Sequence, residues 1–210
     1  MDLSAVWISM KTASLSVAIT FILGIIADWA VVSIRNEKIK GIVDGILTLP
    51  LVLPPTVVGF LLLYINGVNR PLGRWLLEWM GVKIVFNWSA TVVAAVVISL
   101  PLMYRSARGA FEQVDQTLIY AARTLGMSEF SIFRRVAMPL ALPGIVAGGI
   151  LAFARGLGEF GAIAMIAGNI VGKTRTLPLV VYSLVAGGDM KGATHMWLYL
   201  WWSLSLLLWP

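Results

Sequence analysis

Long apolar runs separated by short polar ones set the outline of this chain. Residues 15–34 (with a start as early as Val6), 42–65, 88–102 continuing toward Ser106, 140–167 and 194–209 are each apolar. Roughly 20 apolar residues at about 1.5 Å per residue are enough to cross a bilayer. The pattern therefore predicts about five transmembrane helices, with Ser99-Leu100-Pro101 a bend in the third. The last run is short for a crossing, so either its helix begins earlier than Thr194 or the chain continues past Pro210. Its Trp197, Trp201, Trp202 and Trp209 fit interfacial or lipid-facing positions.

The polar interruptions differ in kind. Residues 35–40 (RNEKIK) make a short turn. In residues 66–87, Arg70, Pro71, Arg74, Glu78 and Lys83 interleave with Leu72, Trp75, Leu76 and Trp79, the pattern of an amphipathic helix at the membrane surface. Residues 168–192 read as a polar re-entry. The longest interruption, residues 111–139, sets Arg123, Arg134 and Arg135 against Glu112, Asp115 and Glu129 and cannot lie in lipid. Val114, Leu118, Ala121, Ala122 and Leu125 recur there at helical spacing, and Gly126 follows as the left-handed residue that ends such a helix. Ser128 can cap a second short helix with Phe130, Phe133 and Val136 on its apolar face. Two short amphipathic helices joined at a glycine, between spans, form a docking surface.

That segment resembles the cytoplasmic "EAA" loop of ABC importer permeases, in which Glu-Ala-Ala is followed after three residues by Gly and after nine more by Ile-x-Leu-Pro. Here Ala121-Ala122, Gly126 and Val136-Ala137-Met138-Pro139 occupy those places, and Tyr120 stands where the motif has its Glu. LPLVLPPTVVGFLLL (residues 49–63), YAARTLG (120–126), residues 138–145 and FARGLGEFGA (153–162) are similar, in the same order, to the molybdate-type permease subunit. The resemblance covers about residues 48–182. It implies an all-α polytopic membrane protein, a type I ABC importer permease, forming one permease domain over residues 1–210 in the cytoplasmic membrane of a prokaryote. It further implies a homodimer with one path along the shared interface, two cytoplasmic ABC ATPase subunits gripping the loops, and an external oxyanion-binding protein. ATP and Mg would be bound by the ATPase, with no cofactor in this chain. Tyr120, Ala121, Ala122, Leu125, Gly126 and Pro139 would form the coupling loop. With that loop cytoplasmic, the N-terminus lies outside. Lys and Arg are nearly balanced between the two faces, so charge alone does not orient the chain. Sulfate and tungstate permeases are close alternatives.

Composition agrees with a membrane chain. Of the 210 residues, 59% are hydrophobic and 12% charged, against about 25% charged in soluble domains. Mean hydropathy is +0.88. The net charge of +6 fits loops near anionic lipid rather than nucleic-acid binding. There is no cysteine and His195 is the single histidine, so no metal site is expected. No Ser, Asp and His arrangement lies at one membrane depth, so no catalytic residue is expected. MDLSAVWISMK lacks a basic n-region and reads as the start of the first span rather than a signal peptide.

Within the spans, a few residues stand out. Pro50, Pro54 and Pro55 interrupt the second, and each removes a backbone donor that lipid cannot replace. This fits a kinked pore-lining helix or a kink packed against neighbours. Asp28 fits a carboxylate at the interface or capped by a neighbouring helix. Arg155 and Glu159 stand four apart, share a helix face and can pair. They fit a gate on the path, or a pair that only fixes a helix contact. Pro54, Pro55, Ser99, Arg155 and Glu159 are the candidate path or gate residues. Gly168 to Thr174 imitates a phosphate-binding loop but has three residues, not four, before its Gly-Lys, and no preceding strand. Lys173 and Arg175 there fit either contact with a substrate-delivering protein or solvated cations. An ion-gradient-driven secondary transporter is the rival class. It would need paired broken helices, and only one proline-broken span is visible.

Overall fold

The computed structural model describes residues 3–208, and Trp209 lies outside them. The first helix, α1 (Leu3–Val32), is 30 residues long and begins well before Leu15. Its packing is inverted relative to a water-soluble helix. Ser9, Thr12, Ala13, Ser16 and Thr20 are buried, whereas Leu15, Ile22, Leu23 and Ile26 face outward. Lipid solvates the large apolar side chains, while hydroxyls need partners and small residues allow close approach. Those partners exist: the Thr12 and Thr91 hydroxyls lie 2.9 Å apart, Trp88 Nε1–H donates to Thr12 at 3.0 Å, and the Leu177 N–H donates to Ser9 at 2.7 Å. The Thr20 hydroxyl donates to its own helix at the Ser16 carbonyl.

The second apolar run is two helices, α2 (Glu37–Val52) and α3 (Pro55–Asn66), meeting at 113°. This is sharper than a kink, and Pro54 and Pro55 explain it. A residue before proline is pushed out of the helical region, and both Leu53 (ψ 143) and Pro54 (ψ 133) precede one. Two consecutive extended residues end α2 and re-aim the chain. Pro50 stays inside α2. An amphipathic helix, α4 (Pro71–Met80), follows and closes at Gly81 with φ +64. Next, α5 (Trp88–Glu112), capped by Asn87, runs unbroken through Ser99 and Pro101.

The loop begins as expected. In α6 (Gln116–Thr124) the Asp115 carboxylate accepts the Thr117 N–H, and Gly126 ends the turn with φ +77. Ser128 caps α7 (Glu129–Ile132) by accepting the Ser131 N–H. The second amphipathic helix is not separate, however. It passes through a π turn at Phe133–Ala137 straight into α8 (Met138–Leu157). Pro139 accounts for the wide turn: it has no N–H to return to Arg135, and its ring crowds that carbonyl. The Met138 N–H reaches back to Phe133 instead.

The fourth apolar run is also interrupted. α8 ends at Gly158, and α9 (Gly161–Ile166) starts anew. Gly156 and Gly158 weaken the helix here, and Glu159 offers its carboxylate to the new N-terminus, accepting the Ala162 N–H at 2.8 Å. The chain thus has a second broken run, this one without a proline at the break. Residues 168–192, expected to be a polar re-entry, contain a ten-residue apolar helix, α10 (Leu177–Ala186), with Pro178 in its first turn and Gly187 at its end. The last helix, α11 (Met190–Leu208), does begin before Thr194. Among the described residues, three helical stretches are long and apolar enough to cross a membrane, or four if α2 and α3 count as one span. The five expected spans map onto α1, the α2–α3 pair, α5, α8–α9 and α11.

Candidate functional site

The two breaks meet. A Cβ on Gly59 of α3 would lie 2.6 Å from Ala162 Cα and 2.8 Å from its carbonyl oxygen, so only glycine lets α3 and α9 touch backbone to backbone. Gly161 faces Pro55 and Thr56 in the same way, with a Cβ there 3.0 Å from the Pro55 ring. The predicted residues Pro55 and Glu159 therefore belong to one locus, because Glu159 holds the first turn of α9 against the start of α3.

Glu159 is 1% exposed, and its Oε2 lies 2.7 Å from Arg155 Nη1. The contact is short, yet Oε2 has no hydrogen bond of acceptable geometry. We therefore describe it as an ion pair held by charge and proximity. Arg155 is in the last turn of α8 and Glu159 lies beyond it, so the pair straddles the break and does not share one helix face. About a third of the Arg155 side chain is open (32%). The guanidinium is committed to a buried carboxylate, on a side chain that is not itself fully buried. Ser99 does not join this group: it is buried and its hydroxyl donates to Ala95 O at 2.6 Å. Pro54 is exposed at the corner itself.

At the docking loop, large apolar side chains face outward from a polar segment. Leu125 is 81% exposed, Phe130 73% and Tyr120 59%, an exposure that marks an interaction surface. The Arg123 guanidinium binds Glu129 through two contacts of 2.7 and 3.0 Å and ties α6 to α7. It also lies 5.8 Å from the Tyr120 ring centroid. Phe111 and Phe133 pack at 5.7 Å between centroids. Ala121 and Pro139 are exposed, whereas Ala122 is buried within the chain, so its small size is accounted for by internal packing.

The Asp115 cap gives α6 a pH dependence. The Thr117 N–H holds the Asp115 carboxyl below its ordinary value of 3.8. A depressed acid stabilises the fold above its unfolded pKa, and that contribution is lost as pH falls through the folded value. Fraying of the first turn of α6 is therefore expected below about pH 4. Amide-exchange protection at Thr117 and Leu118, normalised to intrinsic rates, should drop there in the wild type. It should be low at neutral pH in Asp115→Ala and insensitive to acid in Asp115→Asn, which keeps an acceptor that does not titrate. Equal protection in all three would show that the cap contributes nothing.

Sequence reasoning missed one cluster. Asp44 of α2 accepts from Tyr104 at 2.6 Å and Arg108 at 2.7 Å, with Arg105 3.9 Å away, and Arg108 also binds Glu112 at 2.9 Å. Since α2 has no buried residue, this is its main polar tie to α5. Asp28 of α1 is buried nearby, within electrostatic range of Arg108, Glu112 and Lys40, and one of its oxygens has no partner. A lone aspartate in the apolar run IVDGILTLP was the available signal. The Gly168–Thr174 imitation closes on itself: the buried Thr174 hydroxyl bonds the Ile170 N–H and the Gly168 carbonyl. Arg175 donates to Asn169 at 2.8 Å.

An all-helical bundle with two broken spans in contact, and a water-facing loop continuous with one of them, defines a multi-pass transport permease. The chain belongs to the family of binding-protein-dependent transport system inner membrane components, which matches residues 10–209, and it is a multi-pass protein of the cytoplasmic membrane. It is 45% identical over 193 residues to the molybdenum transport system permease protein ModB of Escherichia coli K12, covering 91% of this chain and 84% of that one. It is 40% identical over 183 residues to the putative molybdenum transport system permease protein YvgM of Bacillus subtilis, covering 87% and 80%. In fold it is similar to a chain of the MetNI methionine ABC transporter in an inward-facing conformation, with TM-score 0.78, 19% identity and coverage of 99% and 91%. An amino acid ABC transporter chain gives TM-score 0.69 at 21% identity, covering 98% and 88%.

Proposed function

We propose that this chain is the transmembrane subunit of an ATP-driven importer whose cargo is molybdate. Kinship with the molybdenum permeases over nearly the whole chain carries the reading. A second support is mechanical. Residues Glu129–Leu157 form one continuous helical path from the docking loop to the Arg155–Glu159 break, so a push on Leu125 and Tyr120 is delivered to the place where two broken spans touch. In this reading two copies of the chain form the path, and two cytoplasmic ATPase subunits, which bind ATP and Mg, grip the loops. An external protein delivers the oxyanion, and the N-terminus lies outside. The exposed part of Arg155 attracts the dianion and Glu159 limits how tightly it is held, because a path must release what it binds.

The test is uptake and ATP hydrolysis in liposomes holding the permease, its ATPase and the binding protein, with molybdate, tungstate and sulfate compared. Molybdate should stimulate hydrolysis and enter. Leu125→Arg should lower both by about tenfold or more, as expected for losing an interface anchor worth at least about 1.4 kcal/mol. Tungstate or sulfate preferred over molybdate would reassign the cargo. An ion-gradient carrier would need no ATPase, so one arm omits it. Gradient-driven uptake in that arm would overturn the reading.

A further inference from the structure

The charged cluster between α1, α2 and α5 holds one carboxylate more than its pairing uses. α1 and α5 run side by side in a fixed register. The Thr12 and Thr91 hydroxyls lie 2.9 Å apart, and further along both helices Gly24 packs directly against Met103 and Tyr104. One turn beyond that contact, Asp28 on α1 and Arg108 on α5 come level. Arg108 is turned to α2 instead. Its Nη1 donates to Asp44 at 2.7 Å and to the Tyr104 hydroxyl at 3.2 Å, and its Nε donates to Glu112 at 2.9 Å. Its Nη2 donates no hydrogen bond among the described residues. Asp28 is buried, and its Oδ1 has no partner.

The helix that holds Arg108 in this position is loosely anchored. α2 has no buried residue, and nothing lies within 4 Å of a Cβ built on Gly41 or Gly45. It ends at the extended pair Leu53–Pro54, beyond which α3 is fixed on α9 through Gly59 and Gly161. A swing of α2 about that corner would part Asp44 from Arg108 and leave Asp28 beside it.

We propose that Arg108 is a two-position latch: with α2 seated on α5 its guanidinium is held by Asp44, and when α2 swings away it passes to Asp28. A seated α2 leaves a buried carboxylate unsatisfied within a span, which is costly. A released α2 satisfies Asp28 and gives up the Asp44 contact. Each arrangement serves one aspartate at the other's expense, so the two states stay close enough for a push on the bundle to switch them. Lys40 is also within electrostatic range of Asp28, but it belongs to α2, with Glu37 4.0 Å away, and leaves with that helix. Asp28 and Arg108 are thus positioning residues that touch no cargo. The inference rests on the reading of this chain as a transport path whose spans move, and not on which anion it carries.

The chain lacks cysteine, so spin labels can be placed without background. One goes on Ile39, exposed in α2, and one on Leu140, exposed beside Ala141, which packs in one cluster with Ala107 of α5. The permease and its ATPase are held in lipid nanodiscs, labelled copies are diluted with unlabelled ones, and the distance between labels is read by pulsed electron resonance. Two populations are expected, the seated one at the distance of the present structure. Asp44→Asn should raise the released population about tenfold, and Asp28→Asn added to it should lower it again by a similar factor, the size of one coupling between charged partners. With Arg108→Gln neither aspartate should matter, and Arg108→Lys should restore part of both effects. Lys40→Gln should leave the effect of Asp28→Asn intact. A released population that Asp28→Asn does not lower overturns the latch, because a merely structural aspartate would change stability and not the ratio. A Lys40→Gln that cancels the Asp28 effect, or a single distance in every variant, overturns it too. Should Asp28→Asn fail to fold, Arg108→Gln decides: an Asp44→Asn effect undiminished in that background refutes the proposal. The populations are read without cargo, so failure here leaves the importer reading standing, and failure of molybdate uptake leaves the latch.

Discussion

Glu159→Ala is expected to destabilise the permease by about 3 kcal/mol, the lower end of the range for breaking a buried ion pair, because the Arg155 side chain is about a third open and water screens what is left behind. The substitution also removes the acceptor of the Ala162 N–H. For a chain of this size the apparent unfolding midpoint in detergent, followed by tryptophan emission, should fall by roughly 6–12 °C. Glu159→Gln separates the two readings that the sequence left open. Its amide oxygen can still cap α9, but its charge is gone. If the pair only fixes a helix contact, Arg155→Gln/Glu159→Gln should recover most of the stability and most of the uptake. If the charges act on the path, stability should return while molybdate uptake does not. A single alanine variant with an unchanged midpoint would show that the pair has neither role in holding the break.

The second large effect is expected at Gly59. Even a methyl group there would meet Ala162 Cα at 2.6 Å and its oxygen at 2.8 Å. These are backbone atoms, so no rotamer change relieves the clash, and α3 must move off α9. Gly59→Ala should cost about 1–3 kcal/mol, typical of overpacking, and Gly59→Leu should abolish uptake. Gly45 of α2 is the control, since nothing lies within 4 Å of a Cβ built there. Gly45→Ala should be neutral or slightly stabilising, by up to about 1 kcal/mol, because alanine favours the helix. Indistinguishable midpoints for Gly59→Ala and Gly45→Ala would refute the close approach of the two breaks.

Much of this architecture is written locally in the chain. Apolar runs locate spans because lipid tolerates nothing else, and Gly126 and Ser128 announce their turn and cap through conformational and hydrogen-bonding needs that no neighbour changes. The proline corner was legible as a break but not as a 113° turn. That depends on two successive residues both preceding proline, each driven out of the helical region. The interruption at Gly158 was hidden for a different reason. FARGLGEFGA is apolar enough to look like a continuous span, and only the capture of the Ala162 N–H by Glu159 shows that a new helix starts. The Asp44 cluster was legible only at one end: a lone aspartate stands out in IVDGILTLP, but its partners come from α5, about 60 residues on, and only the tertiary fold joins them. For α10, LPLVVYSLVA follows the polar GNIVGKTRT and is only ten residues long, too short to stand out as a span.

The π turn at Phe133–Ala137 has a bearing on how this family can diverge. A π turn holds one residue more than an α-helix would use over the same stretch. Deleting a single residue there would let the helix close regularly from Glu129 onward with little rotation of what precedes it, because five residues of the wide turn sweep nearly the same angle as four of an α-helix. Leu125 and Tyr120 would keep their direction and the spans would stay superposable. This point can therefore gain or lose one codon without altering either the surface offered to a partner or the part that crosses the membrane.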